Sequence, residues 1–457
     1  MGKDERIRQL EEENARLRAE NEALRRLVGD LTRRNDDLAR RIEELEREVH
    51  RQAAPFRRPE RAKVPPERQK RPGRPVGHPG VCRATPGQID AEVELPLPCC
   101  PQCGGPVSRV ERQEQVIEEI LPARPYVLKV TTYRGRCGRC GEVGTRHPWQ
   151  TSWGQGAAKV QLGPRALALG AALSKQCGLT MRQTCRVLGS LTGLRVTAGG
   201  LSQALSRIAG RVSGRYEALA NRIRGSPAVF ADETSWWVGG PGWWLWTFTT
   251  PQETLYRVEH GRGSAVVEAT LGPDFGGMLV SDCLSSYDPG PYRKHKCVAH
   301  HLRAISEAEK KPGMTDLSYL RQWKTLLKAV LALYGSREVV GPERFAAMRE
   351  HLERQCDELL RRPVGQSGDV AVRNRLAKQR PHLLGCLWEP AAEPTNNRAE
   401  RALRPAVIAR KVSCGNKTER GRQTWQVLTS LAVTCQQRGE NFVDYLAAQL
   451  PLAAGAG

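Results

Sequence analysis

The stretch Ala228 to Val238, AVFADETSWWV, limits the choice of fold more than any other part of the chain. A compact apolar run, Ala228 to Ala231, meets Asp232 and Glu233, and Gly239, Gly240, Pro241 and Gly242 then impose a turn. Apolar residues followed by such a turn signal read as a strand entering a hairpin. Trp243 to Thr249 and Thr254 to His260, rich in aromatic and β-branched residues, supply two further strands. A carboxylate inside an otherwise apolar strand must be protonated, paired or bound to a cation. Asp232 therefore needs a partner.

A second acid-bearing strand follows at GGMLVSDCLSSY, where Gly277 to Val280 is apolar and Asp282 stands at its end, 50 residues after Asp232. Between them Ser264 to Leu271 has apolar residues at helical spacing, bounded by Gly263 and Gly272. A right-handed helical crossover returns the chain to a parallel neighbour in the same sheet, which sets the strand of Asp282 beside that of Asp232. Two carboxylates at adjacent strand ends suit hard divalent cations, whereas an Asp alone at a strand end is more often a turn former.

The third candidate lies in PTNNRAERALRP, Pro394 to Pro405. Asn397 and Glu400 fit a capping box, with Asn397 as N-cap and Glu400 three residues on. Arg398, Arg401 and Arg404 crowd the same short helix, a composition suited to phosphates. ADET, LVSDCLSSY, CVAHHLR and NNRAERALRP, in this order, resemble the IS66 family of bacterial insertion-sequence transposases over nearly the whole chain. The resemblance implies an α/β, ribonuclease-H-like catalytic core whose Asp, Asp, Glu triad falls on Asp232, Asp282 and Glu400. It further implies two Mg²⁺ ions, or Mn²⁺, on these three side chains, and cleavage of element ends followed by joining of the 3′-hydroxyls to target DNA. Cys297 and His300 match a Cys-x-x-His-x-x-Arg motif of the family ending at Arg303, and are read as supporting or DNA-facing groups. Val298 and Thr395 depart from the tryptophan and aspartate that many relatives carry there.

Composition agrees. A chain of 457 residues calls for two to four domains, and a formal net charge of +22 calls for a polyanionic partner, nucleic acid first. No apolar run approaches the roughly 18 residues needed to span a membrane, and the densely charged N-terminus does not read as a secretory leader. Fourteen cysteines then argue for thiols or metal rather than disulfides. A bacterial cytoplasmic, nucleoid-associated protein is expected.

Leu10, Leu17, Leu24, Leu31, Leu38 and Leu45 fall seven apart, with Ile7, Asn14, Asn21, Val28, Asn35, Ile42 and Val49 at the other seam position. This predicts a parallel coiled coil over residues 1–50, and the seam asparagines favour a two-stranded homodimer. Residues 51–80 form a basic Pro/Gly-rich linker, in which Gly73, Arg74 and Pro75 resemble a minor-groove AT-hook, so that Arg71 and Arg74 are DNA-binding candidates; a solvated basic arm fits equally. Cys100, Cys103, Cys137 and Cys140 form two CxxC pairs, each followed by glycine, and predict a structural Zn²⁺ ribbon within residues 81–150. Tyr126 to Tyr133 reads as a strand of that ribbon. Residues 158–225 read as three helices, Leu162 to Cys177, Thr180 to Ser190 and Leu201 to Arg224. They form either a helix-turn-helix domain using Arg182, Arg186 and Arg207 on DNA, or a plain helical bundle. The catalytic core spans residues 226–425 with a helical insertion at about 305–385, and closing helices follow over residues 426–457. Arg410 and Lys411 extend the basic cluster. The competing reading is a dimeric zinc-containing DNA-binding regulator with an inactive core; accessory proteins of the same element are possible partners in either case.

Overall fold

The computed structural model describes residue 84, residues 86–151 and 160–451, and a subset of positions between 13 and 38. The expected linker with Arg71 and Arg74, Cys82, and the seam positions Ile7, Leu10, Asn14, Asn35, Ile42, Leu45 and Val49 lie outside the described residues. The chain divides into two units, Met1–Glu118 and Glu119–Gly457. In the first, Leu17, Leu24, Leu31 and Leu38 are helical and 46 to 62% exposed among the described residues.

The second unit is a mixed α/β structure. A small antiparallel pair, β1 (Arg134–Cys137) and β2 (Gly141–Gly144), precedes four helices: α1 (Pro164–Lys175), α2 (Met181–Thr192), α3 (Ala198–Arg211) and α4 (Ser213–Arg224). Three strands follow, β3 (Ala228–Trp236), β4 (Trp243–Thr249) and β5 (Thr254–His260), then α5 (Ala265–Leu271), β6 (Met278–Ser281) and β7 (Arg293–Lys296). The five strands β3 to β7 make one sheet in the order β5-β4-β3-β6-β7. Its first three strands are antiparallel, and β6 and β7 add in parallel. The helical crossover through α5 thus does bring β6 beside β3, as the alternation of apolar run, helix and apolar run predicts.

Beyond the sheet run α6 (Val298–Ala308), α7 (Ser318–Gly335), α8 (Pro342–Arg361), α9 (Ser367–Leu383), α10 (Asn397–Ser413), α11 (Glu419–Gln437) and α12 (Phe442–Gln449). Alternation along β3 divides its side chains between two cores. Val229 and Ala231 pack with α1, α3, α4 and α11, whereas Phe230 packs with Met278, Val280, Ala392 and Ala399 under α10. The helices α7 to α9 build a separate core around Trp323, Leu327 and Leu376.

Three local expectations are corrected. Tyr126 to Tyr133 is not a strand, because it finds no pairing partner and lies open to solvent, with Val127 89% exposed. The helix expected from Leu201 to Arg224 is two, α3 and α4, broken at Val212, where the backbone leaves helical values between Gly210 and Gly214. The capping box at Asn397 does not form: the N-cap of α10 is Asn396, and its side chain makes no capping hydrogen bond.

Candidate active site

The pairing of β3 with β6 joins Ala228 to Met278, Val229 to Leu279 and Phe230 to Val280, an offset of 50 that equals the spacing of the two aspartates. Asp232, in the middle of β3, and Asp282, just past the end of β6, therefore stand at matching positions along two neighbouring parallel strands. The Asp232 carboxylate accepts the backbone N–H of Glu233 at 3.0 Å, and that of Asp282 accepts the N–H of Leu284 at 2.9 Å, so each is oriented by its own backbone.

Asn396 brings in the third acid. Its side-chain amide, fully buried, donates to the carbonyl of Ala231 at 2.8 Å, and its backbone N–H donates to Cys297 Sγ at 3.2 Å. Glu400 stands one turn later, its N–H bonded to the Asn396 carbonyl at 3.1 Å. The N–H of Cys297 donates to Ser281 at 2.9 Å, next to Asp282. Cys297 and Asn396 thus join the chain next to both aspartates to the start of α10. Burial of Cys297 excludes it as a DNA-facing group.

The electrostatics record this convergence. Burial pushes the Asp232 carboxyl up to about 7; Glu233 adds to the rise, its backbone N–H opposes it, and the charges of Asp282 and Glu400 raise it further. A buried carboxylate with two further carboxylates within electrostatic reach is a site in deficit of positive charge, and an all-oxygen donor set matches Mg²⁺ or Mn²⁺. They stand within electrostatic reach rather than in contact: among the described residues no three His, Cys, Asp or Glu side chains are drawn together as ligands of one ion. His300 Nε2 lies 3.9 Å from Glu400 Oε1. Burial and the Arg303 guanidinium hold this imidazole below its usual range, with Asp282 and Glu400 pulling the other way and Arg375 adding to the depression.

Behind Asp232, on the opposite face of β3, is a second buried acid. Glu233 accepts from Arg262 Nε at 3.0 Å and from the Tyr287 hydroxyl, while the Arg262 guanidinium lies 4.5 Å over the Trp244 ring. Tyr287 belongs to the short 3₁₀ turn Ser285–Tyr287 that follows Asp282, so this carboxylate ties the loop of the second acid to the strand of the first. The sequence carried a signal for it, since the need for a partner argued for Asp232 applies equally to its neighbour.

The basic candidates separate. Arg182 and Arg186 are exposed on α2, Arg303 on α6, and Arg401 and Arg404 on α10, with Lys411 exposed near its end. Arg398 instead pairs with Glu393 and lies over Phe230, and Arg410 donates to Thr234 Oγ1 at 3.0 Å and to Ser235. These two arginines hold α10 against β3.

Each cysteine pair forms a tight turn of its own. Gly104 and Gly141 have φ of +71° and +74°, a conformation that favours glycine. The Cys100 thiol is held below its ordinary range by the N–H groups of Gln102 and Cys103, and the Cys137 thiol by those of Cys140 and Arg139.

Among the described residues no helix is long and apolar enough to cross a membrane. The chain is similar to two proteins of Sinorhizobium fredii (strain NBRC 101917 / NGR234), both described as uncharacterized. The first, y4qI, is 26% identical over 402 residues, 76% of this chain and 73% of that protein. The second, y4jD, is 22% identical over 396 residues, 79% and 75% of the two chains. Residues 159–424 match the model of the Transposase IS66 family. This match covers more than half of the chain and holds the sheet, Asp232, Asp282 and the start of α10, and by it the chain belongs to the IS66 family of transposases.

Proposed function

We propose that this transposase is of the Asp-Asp-Glu type. In this reading it cleaves the ends of an insertion sequence and joins the freed 3′-hydroxyls to target DNA, with Asp232, Asp282 and Glu400 as its catalytic carboxylates. The observation that supports this most is the matched offset of the strand pairing, which sets two aspartates side by side, together with the rise of Asp232 to about 7 in a field that includes Asp282 and Glu400. A sheet with three antiparallel strands followed by two parallel ones, its central strand carrying the first acid, supports a ribonuclease-H-like core.

Asp232, Asp282 and Glu400 would hold Mg²⁺ or Mn²⁺, which would supply positive charge to the attacking and the leaving oxygen. The chain's own residues orient the acids: the Glu233 and Leu284 N–H groups fix Asp232 and Asp282, and Asn396 fixes the helix of Glu400. Water attacks the phosphodiester first, the bond to the 3′ oxygen breaks, and that oxygen takes up a proton. The new 3′-hydroxyl then attacks a target phosphodiester. Residues 1–50 pair two subunits as a coiled coil, the four cysteines hold one Zn²⁺ in a ribbon within residues 81–150, and residues 158–225 present Arg182 and Arg186 to DNA.

Asp232→Ala, Asp282→Ala and Glu400→Ala are each expected to abolish Mg²⁺-dependent cleavage and joining of a labelled duplex carrying the DNA that borders the coding region. Binding should persist, because affinity comes mainly from arginines and lysines spread over the chain. Glu400→Gln keeps the side-chain shape and removes the charge. Normal turnover by this variant would remove Glu400 from the triad and send the search to Glu389 or Glu393.

A further inference from the structure

Five tryptophans stand on or beside the β3-β4 hairpin, and four of them are used by the fold. Trp236 packs 4.7 Å from Trp425, Trp243 meets His260 edge-on at 5.5 Å, Arg262 covers Trp244, and Trp246 is fully buried. Trp237 is the exception. It is 44% exposed, and among the described residues no other ring and no cation is stacked on it.

Its backbone is nevertheless held firmly. The strand ends at Trp236, whose indole N–H donates to Asn416 Oδ1 at 2.8 Å, and Trp237 opens the turn to β4. The Trp237 carbonyl accepts the N–H of Asn416 at 2.8 Å, and the Gly239 N–H donates to the Asn416 carbonyl at 3.0 Å. Gly415, at φ +107°, permits this approach, since a Cβ there would stand 2.5 Å from the Trp237 carbonyl oxygen. The loop after α10 thus clamps the turn, and Arg410 donates to Ser235 Oγ at 2.8 Å just before it. The elements that carry Asp232 and Glu400 therefore meet again at one remote end, where they are fixed together. Lys411 and Lys417 are exposed there, and Glu419, the acid that follows in sequence, is taken up by Arg422.

A rigidly mounted, uncovered indole among cations matches the chemistry that holds unpaired nucleotides: a π-face for the base and positive charge for the backbone. We infer that Trp237 is a stacking site for an unpaired nucleobase of the DNA on which this transposase acts. The five residues from Asp232 to Trp237 span about 16 Å of strand, the rise of about five stacked nucleotides. On the proposed reaction at Asp232, Asp282 and Glu400, the stacked base lies about that many nucleotides from the scissile bond. The substrate class is therefore DNA that is locally unpaired, and the new stack offsets part of the cost of separating the base from its complement. The stacking itself requires DNA as the partner and not the triad.

The test measures the anisotropy of labelled oligothymidylate and of a fully paired duplex of the same length, bound by the full chain without Mg²⁺ so that cleavage plays no part. Trp237→Leu keeps the apolar bulk and loses the aromatic face. It should weaken single-strand binding by about 5- to 150-fold, the range for loss of one base stack, and leave duplex binding and sedimentation mass near those of wild type. Trp237→Phe, with a smaller face, should fall between. The readout is the ratio of the two affinities, which a partly unfolded sample does not alter. A single-strand affinity of Trp237→Leu equal to wild type would overturn the stacking site. Equal losses on both probes would overturn it in favour of contact with paired DNA, and a fall in sedimentation mass in favour of contact between copies. Each of these outcomes leaves the carboxylate reading standing, whereas an Asp232→Ala variant that still cleaves would overturn that reading and leave the stacking site in place.

Discussion

Asn396 illustrates what a single side chain contributes to the site. Its amide is fully buried and bridges the start of α10 to the Ala231 carbonyl, one residue before Asp232. Asn396→Ala should destabilise the protein by about 1–3 kcal/mol, the cost of leaving a buried carbonyl unsatisfied, measurable by denaturant titration. Cleavage should fall with it, because the helix of Glu400 loses its register against β3. Tyr287→Phe is a milder test of the same kind on the other face of the strand. It removes one donor to Glu233 and keeps the ring packed 5.8 Å from Trp246, so folding should persist while the Mg²⁺ concentration for half-maximal cleavage rises as the Asp282 loop loosens. At this scale the sequence was legible for the two aspartates, whose partnerless charge in apolar strands is a local property. It was not legible for Asn396. Asn396 and Asn397 offer the same side chain, and the choice between cap and latch depends on a carbonyl 165 residues away. The contacts of Arg398 with Glu393 and of Arg410 with Thr234 were not legible either, because the acceptors of a basic residue on other segments are not a local property.

Among the elements, the β3-α5-β6 crossover could be read from periodicity, since apolar runs and glycine boundaries fix its order and right-handed connection fixes its neighbours. The break between α3 and α4 could not, because apolar spacing continues through Val212 and only the backbone there marks the change. The expected strand at Tyr126 to Tyr133 failed because β-propensity needs a partner strand to act on, and none pairs with it among the described residues. The leucine row in the first unit makes an element-scale prediction. Leu17, Leu24, Leu31 and Leu38 are exposed in the single chain at heptad spacing, so a second copy is the natural cover. Deleting residues 1–50 should shift the solution mass from dimer toward monomer in sedimentation; an unchanged mass would assign dimerisation to another surface. Each cysteine turn is also an element in itself, with glycine at positive φ and a thiol held low. Cys103→Ser should release one Zn²⁺ per chain by metal analysis and unfold the surrounding module, because site formation and folding are coupled.

Across the whole molecule, positive charge and catalytic acids are distributed on different plans. The net charge of +22 is spread along the chain, so DNA affinity should fall steeply with salt while the single-turnover cleavage rate of prebound duplex changes little. The acids, by contrast, meet at one place from three distant segments, with the core of α7 to α9 lying between the second and the third. That arrangement has a consequence for synthesis. Ribosomes add residues in order, at about 5–20 per second, and Asp232 and Asp282 leave the tunnel well before Glu400 and the latch at Asn396. A nascent or truncated chain that ends before α10 lacks the third carboxylate and also the helices α10 and α11 that cover the two faces of β3. On the proposed triad, cutting would therefore arise last, with the translation of the helices that both close the core of the sheet and carry the third acid.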